Sequence, residues 1–498
     1  MPSNSYDLVV LGDDLAALVC ATLCARRGLR TLMLGDDRPA RYTLGPHKLP
    51  VEPASWPTAA GSSGERVLKE LHAELALRRR LREPKIAAQL VAPELRIDLG
   101  ADRLAPELER EVGDAAAGWL ALWDRAGDVG RLLDPALSSE HAFPGVGFFE
   151  KRELARIVEP AADAARAWWA DAERDPSAAR WRHLAAIALR HPSPPPIAAA
   201  RAVCAWRSGP PALRGDGDAI RELLAEKLTT AGGEIRAGRI TELGVSWGKL
   251  TSLTLHNGEE IGAGQVVSSR PPGELAELLG KKAPRRLAEL AGDLALVGYR
   301  YTLNIVLDEA GLPEHMAPTV AVIAAPDRAP VGDAAFSIHL GETDEAGRVV
   351  ATVAAILDSD GPLDPDQTPA RCAALRSALW QRLGEVMPFF ERHLVLAHSP
   401  FEATAPQAPG GRGSYDVPRN LPLAMAPIWR GQLAQTADTG ALPYPTGVKN
   451  LTLTGEQILP SLGIEGALAA GWSAAKVACA IAGKKKDYLR DEVVGAAS

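Results

Sequence analysis

The stretch DLVVLGDDLAALVC, residues 7–20, constrains the fold most, because it combines a strand, a turn and a helix signal in that order. The apolar residues 8–11 predict a buried parallel strand, and Gly12 predicts a tight turn after it. Residues 15–27 are predicted to form a helix that ends at Gly28. This order is typical of the dinucleotide-binding motif G-x-G-x-x-G, but Asp14 and Ala17 replace its second and third glycines.

Length, charge and cysteine content narrow the class of protein. The 498 residues suffice for two or three domains, and the formal net charge of −7 argues against nucleic-acid binding, which needs a basic surface. No apolar run reaches the roughly 20 residues that cross a bilayer. Asp13 and Asp14 interrupt the apolar start of the chain, so we expect no signal peptide and a cytoplasmic location. The five cysteines lack metal-ligand spacing, so no metal site is expected.

The α/β pattern occurs in three separated stretches, residues 6–36, 205–275 and 448–483. Between the first two, residues 62–190 have mostly helical spacing and many tryptophans, for which we expect helix packing rather than a substrate tunnel. We therefore predict an α/β protein with a Rossmann-like domain assembled from residues 1–75, 205–275 and 441–498. An α+β substrate domain is inserted into it, with a helical part at residues 76–204 and a β-rich part at residues 276–440.

The C-terminal stretch TGEQILPSLGIEGALAAG, residues 454–471, carries a second motif where a strand meets a long helix. Its characteristic positions are Gly455, Glu456, Pro460, Gly463 and Gly466. This motif, together with the order of the three α/β pieces, resembles the phytoene desaturase and amine oxidase type of FAD-dependent oxidoreductase. The resemblance implies that the Rossmann-like domain is an FAD/NAD(P)-binding domain and that FAD is the cofactor.

The resemblance assigns the flavin half of the site to this motif. A carboxylate just after a strand can accept hydrogen bonds from hydroxyls, so Glu456 would bind the ribityl chain. The helix that starts near Gly463 and Ile464 would direct its positive end at the flavin. Alternatively, the segment is a plain turn with a solvated Glu456. In the middle piece, the resemblance implies that the backbone of Ile240 contacts the adenine.

The phosphate half departs from the family pattern at three places. Asp14 adds a side chain and a charge beside the pyrophosphate, and two like charges about 4 Å apart repel by roughly 4 kcal/mol at an effective dielectric constant near 20. Gly35 replaces a ribose-binding glutamate; Asp36 or Asp37 could substitute for it, and we expect Asp36 to do so. Arg38-Pro39-Ala40-Arg41 replaces Gly-Gly-Arg, and its arginines either balance the added acid or form a solvated pair.

Two functions remain open on the sequence. The first is an FAD-dependent oxidoreductase that takes a hydride from an apolar, isoprenoid-like substrate; the second is a catalytically silent scaffold with weak or no FAD binding. The absence of H-E-x-x-H and G-x-S-x-G motifs agrees with both. The residues expected to contact FAD are Gly12, Asp14, Leu15, Asp36, Ile240, Gly455, Glu456, Leu462, Gly463 and Ile464. The lysines at 484–486 either complement the end of the last helix or contact a membrane surface.

Overall fold

The computed structural model describes residues 4–36, 38–53, 63–82, 84–100, 102–175, 177–214, 219–403 and 415–483. The strands of its first half are β1 (Ser5–Leu11), β2 (Thr31–Gly35), β3 (Arg41–Leu44), β4 (His47–Pro50), β5 (Leu81–Arg82), β6 (Ala88–Ala92), β7 (Leu95–Leu99), β8 (Ala212–Leu213), β9 (Glu234–Ala237) and β10 (Ile240–Ser246). Those of its second half are β11 (Lys249–Leu255), β12 (Glu260–Ser268), β13 (Ala295–Asp308), β14 (Thr319–Ile323), β15 (Ala335–Leu340), β16 (Arg348–Asp358), β17 (Leu394–His398), β18 (Ala426–Arg430) and β19 (Leu451–Leu453).

The α-helices in the described ranges alternate with these strands in the N-terminal and C-terminal parts and follow one another in the middle. The first seven are α1 (Leu15–Arg26), α2 (Ser63–Glu70), α3 (Glu74–Arg78), α4 (Leu104–Val112), α5 (Ala116–Arg131), α6 (Asp134–Leu137) and α7 (Phe148–Ala172). The others are α8 (Ala178–Leu189), α9 (Pro196–Arg207), α10 (Ala219–Thr230), α11 (Pro272–Leu279), α12 (Arg285–Gly292), α13 (Thr368–Val386) and α14 (Gly463–Ile481).

The first sheet draws its strands from three distant parts of the chain. Its order is β10-β11-β12-β1-β2-β9, and β19 also pairs with β12. The pairs β12–β1, β1–β2, β2–β9 and β12–β19 are parallel, whereas β10, β11 and β12 form an antiparallel meander. This assembly confirms the predicted α/β fold with a discontinuous Rossmann-like domain. The residue bounds proposed above for the five domain segments remain predictions.

Helices α1 and α14 pack closely together against this sheet. Residues 8–11 of β1 are fully buried, as expected for a parallel strand covered on both faces. A Cβ on Gly471 would lie 2.4 Å from the carbonyl oxygen of Ala16, so only glycine allows the observed approach of α14 to α1. Within the described residues, α14 and the short turn before it, Pro460–Ile481, form the segment long and apolar enough to span a membrane, and 72% of its apolar 18-residue stretch is buried. Helix α14 is therefore a core helix of this fold.

The second sheet has the order β17-β13-β16-β15-β14-β6-β7, with β18 paired to β13. The molecule has two hydrophobic cores: the first contains the first sheet with α1 and α14, and the second contains α13. Alternation along β15 directs Phe336 and Ile338 into the second core and Ala335 into the first. The β3–β4 hairpin also contributes Tyr42 and Leu49 to the second core. The face that carries Ala335 is therefore directed toward the first sheet and the helices.

Helices α4–α9 form a layer in which tryptophan rings are the main packing units. Trp123 and Trp168 are 0% and 1% exposed, and the Trp123 indole packs edge-on against that of Trp181 with ring centroids 4.9 Å apart. The indole N–H of Trp123 donates to the carbonyl oxygen of Val203, at 2.7 Å. These tryptophans serve helix packing, as the helical spacing of this region predicts.

Candidate functional site

A cavity of about 390 Å³ lies at the carboxyl ends of the parallel strands, between the two sheets. This is the position at which open α/β sheets bind their ligands. The cavity wall brings together eight of the ten residues predicted from the sequence: Gly12, Asp14, Leu15, Asp36, Glu456, Leu462, Gly463 and Ile464. Gly455 packs behind the wall, where an added Cβ would lie 3.0 Å from Asp14 Oδ2. Ile240 begins β10, pairs with Leu255 of β11, and is not among the described residues of the wall.

The turn at Gly12 requires glycine. Its φ is +115°, and an added Cβ would lie 2.0 Å from Ser269 Oγ. The Gly12 N–H donates to the carbonyl oxygen of Leu34 at 2.8 Å, and the Ser269 N–H donates to that of Leu11 at 2.9 Å. These bonds hold the ends of β1, β2 and β12 together and fix the floor of the cavity.

Asp14 caps the first residues of α1. Its Oδ1 accepts a hydrogen bond from the backbone N–H of Ala17 at 2.8 Å, which is the standard role of aspartate at a helix N-cap. Burial raises the pKa of the Asp14 carboxyl to about 6, and the nearby Glu456 carboxylate adds to the rise. The carboxylate thus takes one helix N–H that an anionic ligand could use, and it remains mostly charged at neutral pH, although it is protonated more readily than an exposed aspartate.

Asp36 lies on the cavity wall and is held by an arginine. Its Oδ1 accepts a hydrogen bond from Arg270, which also contacts Glu274 at 3.4 Å. A Cβ on Gly35 would lie 3.0 Å from the Cβ of Asp13, so the turn after β2 has little room for a larger residue at position 35. Asp36 therefore takes the predicted position beside the end of β2, with a partner that the sequence did not predict. Asp37 lies outside the described residues.

Glu456 forms a bidentate ion pair with Arg300, which projects from β13 of the second sheet. Arg300 Nη1 donates to Oε1 at 2.8 Å and Nη2 donates to Oε2 at 2.6 Å. Although burial lowers the pKa of Arg300, the carboxylates of Glu456 and Glu52 raise it above its ordinary value. Glu456, which was predicted to bind the ribityl chain, is thus neutralised by an arginine from the second sheet.

Glu52, just after β4, is surrounded by arginines. Its carboxylate lies 3.1 Å from Arg190, 3.6 Å from Arg300 and 3.9 Å from Arg38. Burial would raise the pKa of Glu52, but Arg300 and Arg190 lower it to about 2, so this carboxylate is charged throughout the physiological range. Sequence reasoning missed this cluster, although one signal was available: Arg300 is a single charge within the apolar strand GYRYTLNIVL.

The charges around the cavity nearly cancel. Five arginines line it, Arg38, Arg190, Arg221, Arg270 and Arg300, against six carboxylates, Asp13, Asp14, Asp36, Glu52, Glu274 and Glu456. The formal sum is −1, or zero when Asp14 is protonated. The rest of the wall is largely apolar and includes Val51, Leu189, Ala426, Pro427, Trp429, Leu462 and Ile464. The cavity therefore offers acceptors for hydroxyls, guanidinium groups for anions and an apolar surface for a ring or chain.

The N-terminus of α14 lies at the cavity wall and has no side-chain cap. Leu462 at its N-cap has an apolar side chain that accepts no hydrogen bond from the helix, and Gly463 has a φ of +57°. One turn further, Glu465 forms two hydrogen bonds with Arg201 of α9, at 2.8 and 2.5 Å. This buried pair fixes the helical layer to the beginning of α14. The Gly463 N–H donates to the carbonyl oxygen of Pro460, and the positive end of the α14 dipole lies at the cavity.

The comparisons with known proteins agree with this architecture. No protein-family model and no curated protein sequence matches the chain. Among solved structures, an oxidoreductase from Methanosarcina mazei matches with a TM-score of 0.58 and 12% identity over 94% of this chain and 99% of that one. Putrescine oxidase bound to putrescine matches with a TM-score of 0.55 and 14% identity over 96% and 99%. The chain has the fold of these oxidoreductases.

The same fold also occurs in a protein that is not named as an oxidoreductase. A Rab GDI from Plasmodium falciparum matches with a TM-score of 0.52 and 10% identity over 95% of this chain and 98% of that one. At such identities the likeness concerns the fold alone. Function must therefore be argued from the residues of the cavity.

Proposed function

We propose that this protein is an FAD-dependent oxidoreductase of the phytoene desaturase type that works in the cytoplasm and accepts a hydride from an apolar, isoprenoid-like substrate. One observation carries the proposal: Gly12 and Glu456, from opposite ends of the chain, line one cavity at the switch point of the sheet.

The residues of the cavity fit FAD in chemistry. Asp36 and Glu456 supply carboxylate acceptors for ribose and ribityl hydroxyls, and the arginines Arg38, Arg221 and Arg270 supply counter-charges for the pyrophosphate. The positive end of the α14 dipole would stabilise negative charge at the flavin end. When bound, FAD supplies the hydride-accepting chemistry, while these side chains bind and orient it.

The apolar wall supports an apolar substrate. Leu189, Pro427 and Trp429 line the cavity from α8 and β18, on the side of the second domain. A hydrocarbon enclosed there would exclude water from the redox centre, as such chemistry requires. No acid or base for proton transfer is assigned in this proposal.

Titration of Glu456→Ala with FAD tests the cofactor site. Removal of this carboxylate should weaken FAD binding by roughly tenfold to a hundredfold, since hydrogen bonds to charged groups are worth about 1.5–3 kcal/mol. Glu289→Ala is the matched control, because Glu289 is a surface carboxylate of α12 whose arginine partners are also exposed. Equal FAD affinity for wild type and both variants would contradict the proposal.

The second candidate is a silent member of the fold that acts as a scaffold. The ion pair between Arg300 and Glu456 and the cap formed by Asp14 favour it, because they satisfy polar groups of the site without a ligand. On this interpretation, the wild type should bind FAD weakly or not at all. Tight, saturable FAD binding by the wild type would contradict the scaffold.

A further inference from the structure

A tryptophan stands exposed at the tip of the hairpin that joins β10 to β11. Trp247 is 95% exposed, more than any other large apolar side chain of the described residues. Its φ of +53° lies in the left-handed region, which is costly for a bulky residue, and Gly248 follows with a φ of +71°. Asparagine is the usual residue before glycine in such a turn. A strained backbone that holds an aromatic ring in solvent indicates a contact outside the molecule.

Two further segments of the chain lie against this turn. The backbone N–H of Lys449, just before β19, donates to the carbonyl oxygen of Gly248 at 3.2 Å. Two residues earlier, a Cβ added to Gly447 would lie 3.2 Å from the Cβ of Arg286 and 3.4 Å from that of Pro284. The tip of the hairpin, the segment before β19 and the beginning of α12 therefore form one continuous surface.

Basic side chains predominate in these segments. The cations, all of them exposed, are Lys249, Lys281, Lys282, Arg285, Arg286 and Lys449. Both arginines pair with Glu289, at 3.2 and 3.3 Å, whereas none of the four lysines forms an ion pair within the described part of the chain. The acids of residues 246–249, 277–293 and 447–450 are Glu277, Glu289 and Asp293. Six cations against three acids leave a formal charge of +3, on a chain whose formal net charge is −7.

We propose that Trp247 and these six cations, the basic tip, dock this protein on the surface of an anionic lipid bilayer. The indole enters the headgroup layer, where tryptophan is enriched in membrane proteins, and the cations lie near the lipid phosphates. A protein partner fits less well, because lysines are depleted in protein interfaces. A nucleic-acid duplex would use the cations but has no apolar layer for the protruding indole.

Co-sedimentation of the full chain with vesicles tests the basic tip. The wild type should bind vesicles that contain phosphatidylserine, and should bind pure phosphatidylcholine vesicles much more weakly. Trp247→Asn should lower the partition coefficient by roughly tenfold, while asparagine suits the left-handed turn and keeps the hairpin folded. Lys249→Ser with Lys449→Ser should lower it by about fivefold per cation, and high salt should act in the same direction.

Two variants outside the basic tip are matched controls. Phe389→Asn replaces an aromatic residue that is 67% exposed and whose φ of +68° matches the backbone conformation of Trp247. Lys151→Ser with Arg152→Ser removes two exposed cations that have carboxylates as neighbours on α7. Both controls should bind vesicles as the wild type does. Every variant keeps the lysines at 484–486, which lie outside the described residues, so a loss of binding is due to the basic tip.

An unchanged melting temperature will show that each variant is folded, since all the changed side chains are exposed. Absence of binding to anionic vesicles, equal binding to neutral ones, or a loss in either control as large as in Trp247→Asn would overturn the proposal. Displacement from the vesicles by duplex DNA of equal phosphate concentration would overturn it too, because nucleic acid would then be the better ligand.

Discussion

The guanidinium of Arg300 and the carboxylate of Glu456 form a two-point ion pair, at 2.8 and 2.6 Å, that joins the second sheet to the turn between β19 and α14. Arg300 also lies 3.6 Å from Glu52, so one cation connects three elements around the cavity. The pair therefore affects two properties at once: the docking of the two sheets and the availability of Glu456 to a ligand.

Arg300→Met should destabilise the fold. The substitution leaves Glu456 and Glu52 with fewer counter-charges, and the loss of one partner of a buried pair costs about 3–5 kcal/mol. Because the side chain of Glu456 is 35% exposed, we expect about 2–3 kcal/mol here. Urea unfolding measures the loss. Arg328→Met is the control, since its pair with Asp333 is half exposed on the arginine side and should contribute less than about 1 kcal/mol. Equal losses in the two variants would contradict this account.

Arg201→Met should lower the free energy of unfolding by about 3–5 kcal/mol, because it leaves Glu465 buried without its cation. The two side chains are only 4% and 8% exposed. Arg207→Met, on the same helix α9, removes an arginine whose pair with Asp124 is partly exposed, at 32% and 60%, and should change stability by less than about 1 kcal/mol. Thermal and urea unfolding of the two variants side by side provide the measurement. A loss in Arg201→Met no larger than in Arg207→Met would show that the buried pair does not anchor α14.

Asp14→Asn should strengthen FAD binding. Asparagine caps a helix as well as aspartate does, so the bond to Ala17 is kept while the charge beside the anionic ligand is removed. The formal charge of the cavity wall rises from −1 to zero, and we expect roughly tenfold tighter binding at neutral pH and fixed salt. Asp14→Gly should also bind more tightly, but it loses the side-chain cap. Equal and tight binding by wild type and both variants would mean that the Asp14 charge has no influence on the site.

The stability of the wild type should carry a pH dependence that Asp14→Asn lacks. The folded pKa of Asp14, about 6, is raised above its ordinary value of 3.8, so the folded state binds the proton more tightly than the unfolded state. The resulting penalty is fully present above pH 6 and is relieved as the pH falls toward 4. The difference in unfolding free energy between the two proteins should therefore shrink over this window. A difference that is constant between pH 4 and 7 would contradict the raised pKa.

The sequence predicted the local elements at the two ends of the chain, because each has a short-range signal. It also predicted that these ends meet, because both have the strand–turn–helix order of one parallel sheet. The strand before Gly12, the helix after it and the motif at Gly455 and Glu456 each have a defined order of apolar, turn and capping residues. The parallel sheet then brings them to one edge. Even the capping role of Asp14 could have been predicted, since an aspartate directly before a helix is a standard start signal.

The partners of the site acids could not be predicted in the same way. Arg300 reaches Glu456 from 156 positions away, and Arg190 reaches Glu52 from 138 positions away. Such pairs depend on how the second sheet and α8 dock against the first domain, for which no local pattern exists. Only the isolated charge of Arg300 within an apolar strand pointed to a buried partner.

The most direct test of the central claim is the absorption spectrum of the purified full chain during titration with FAD. The account predicts a saturable shift of the flavin bands that ends at one FAD per chain, with tighter binding in Asp14→Asn and weaker binding in Glu456→Ala. A spectrum identical to that of free FAD at every ratio, for both the wild type and Asp14→Asn, would contradict the account and leave the scaffold as the function of this fold.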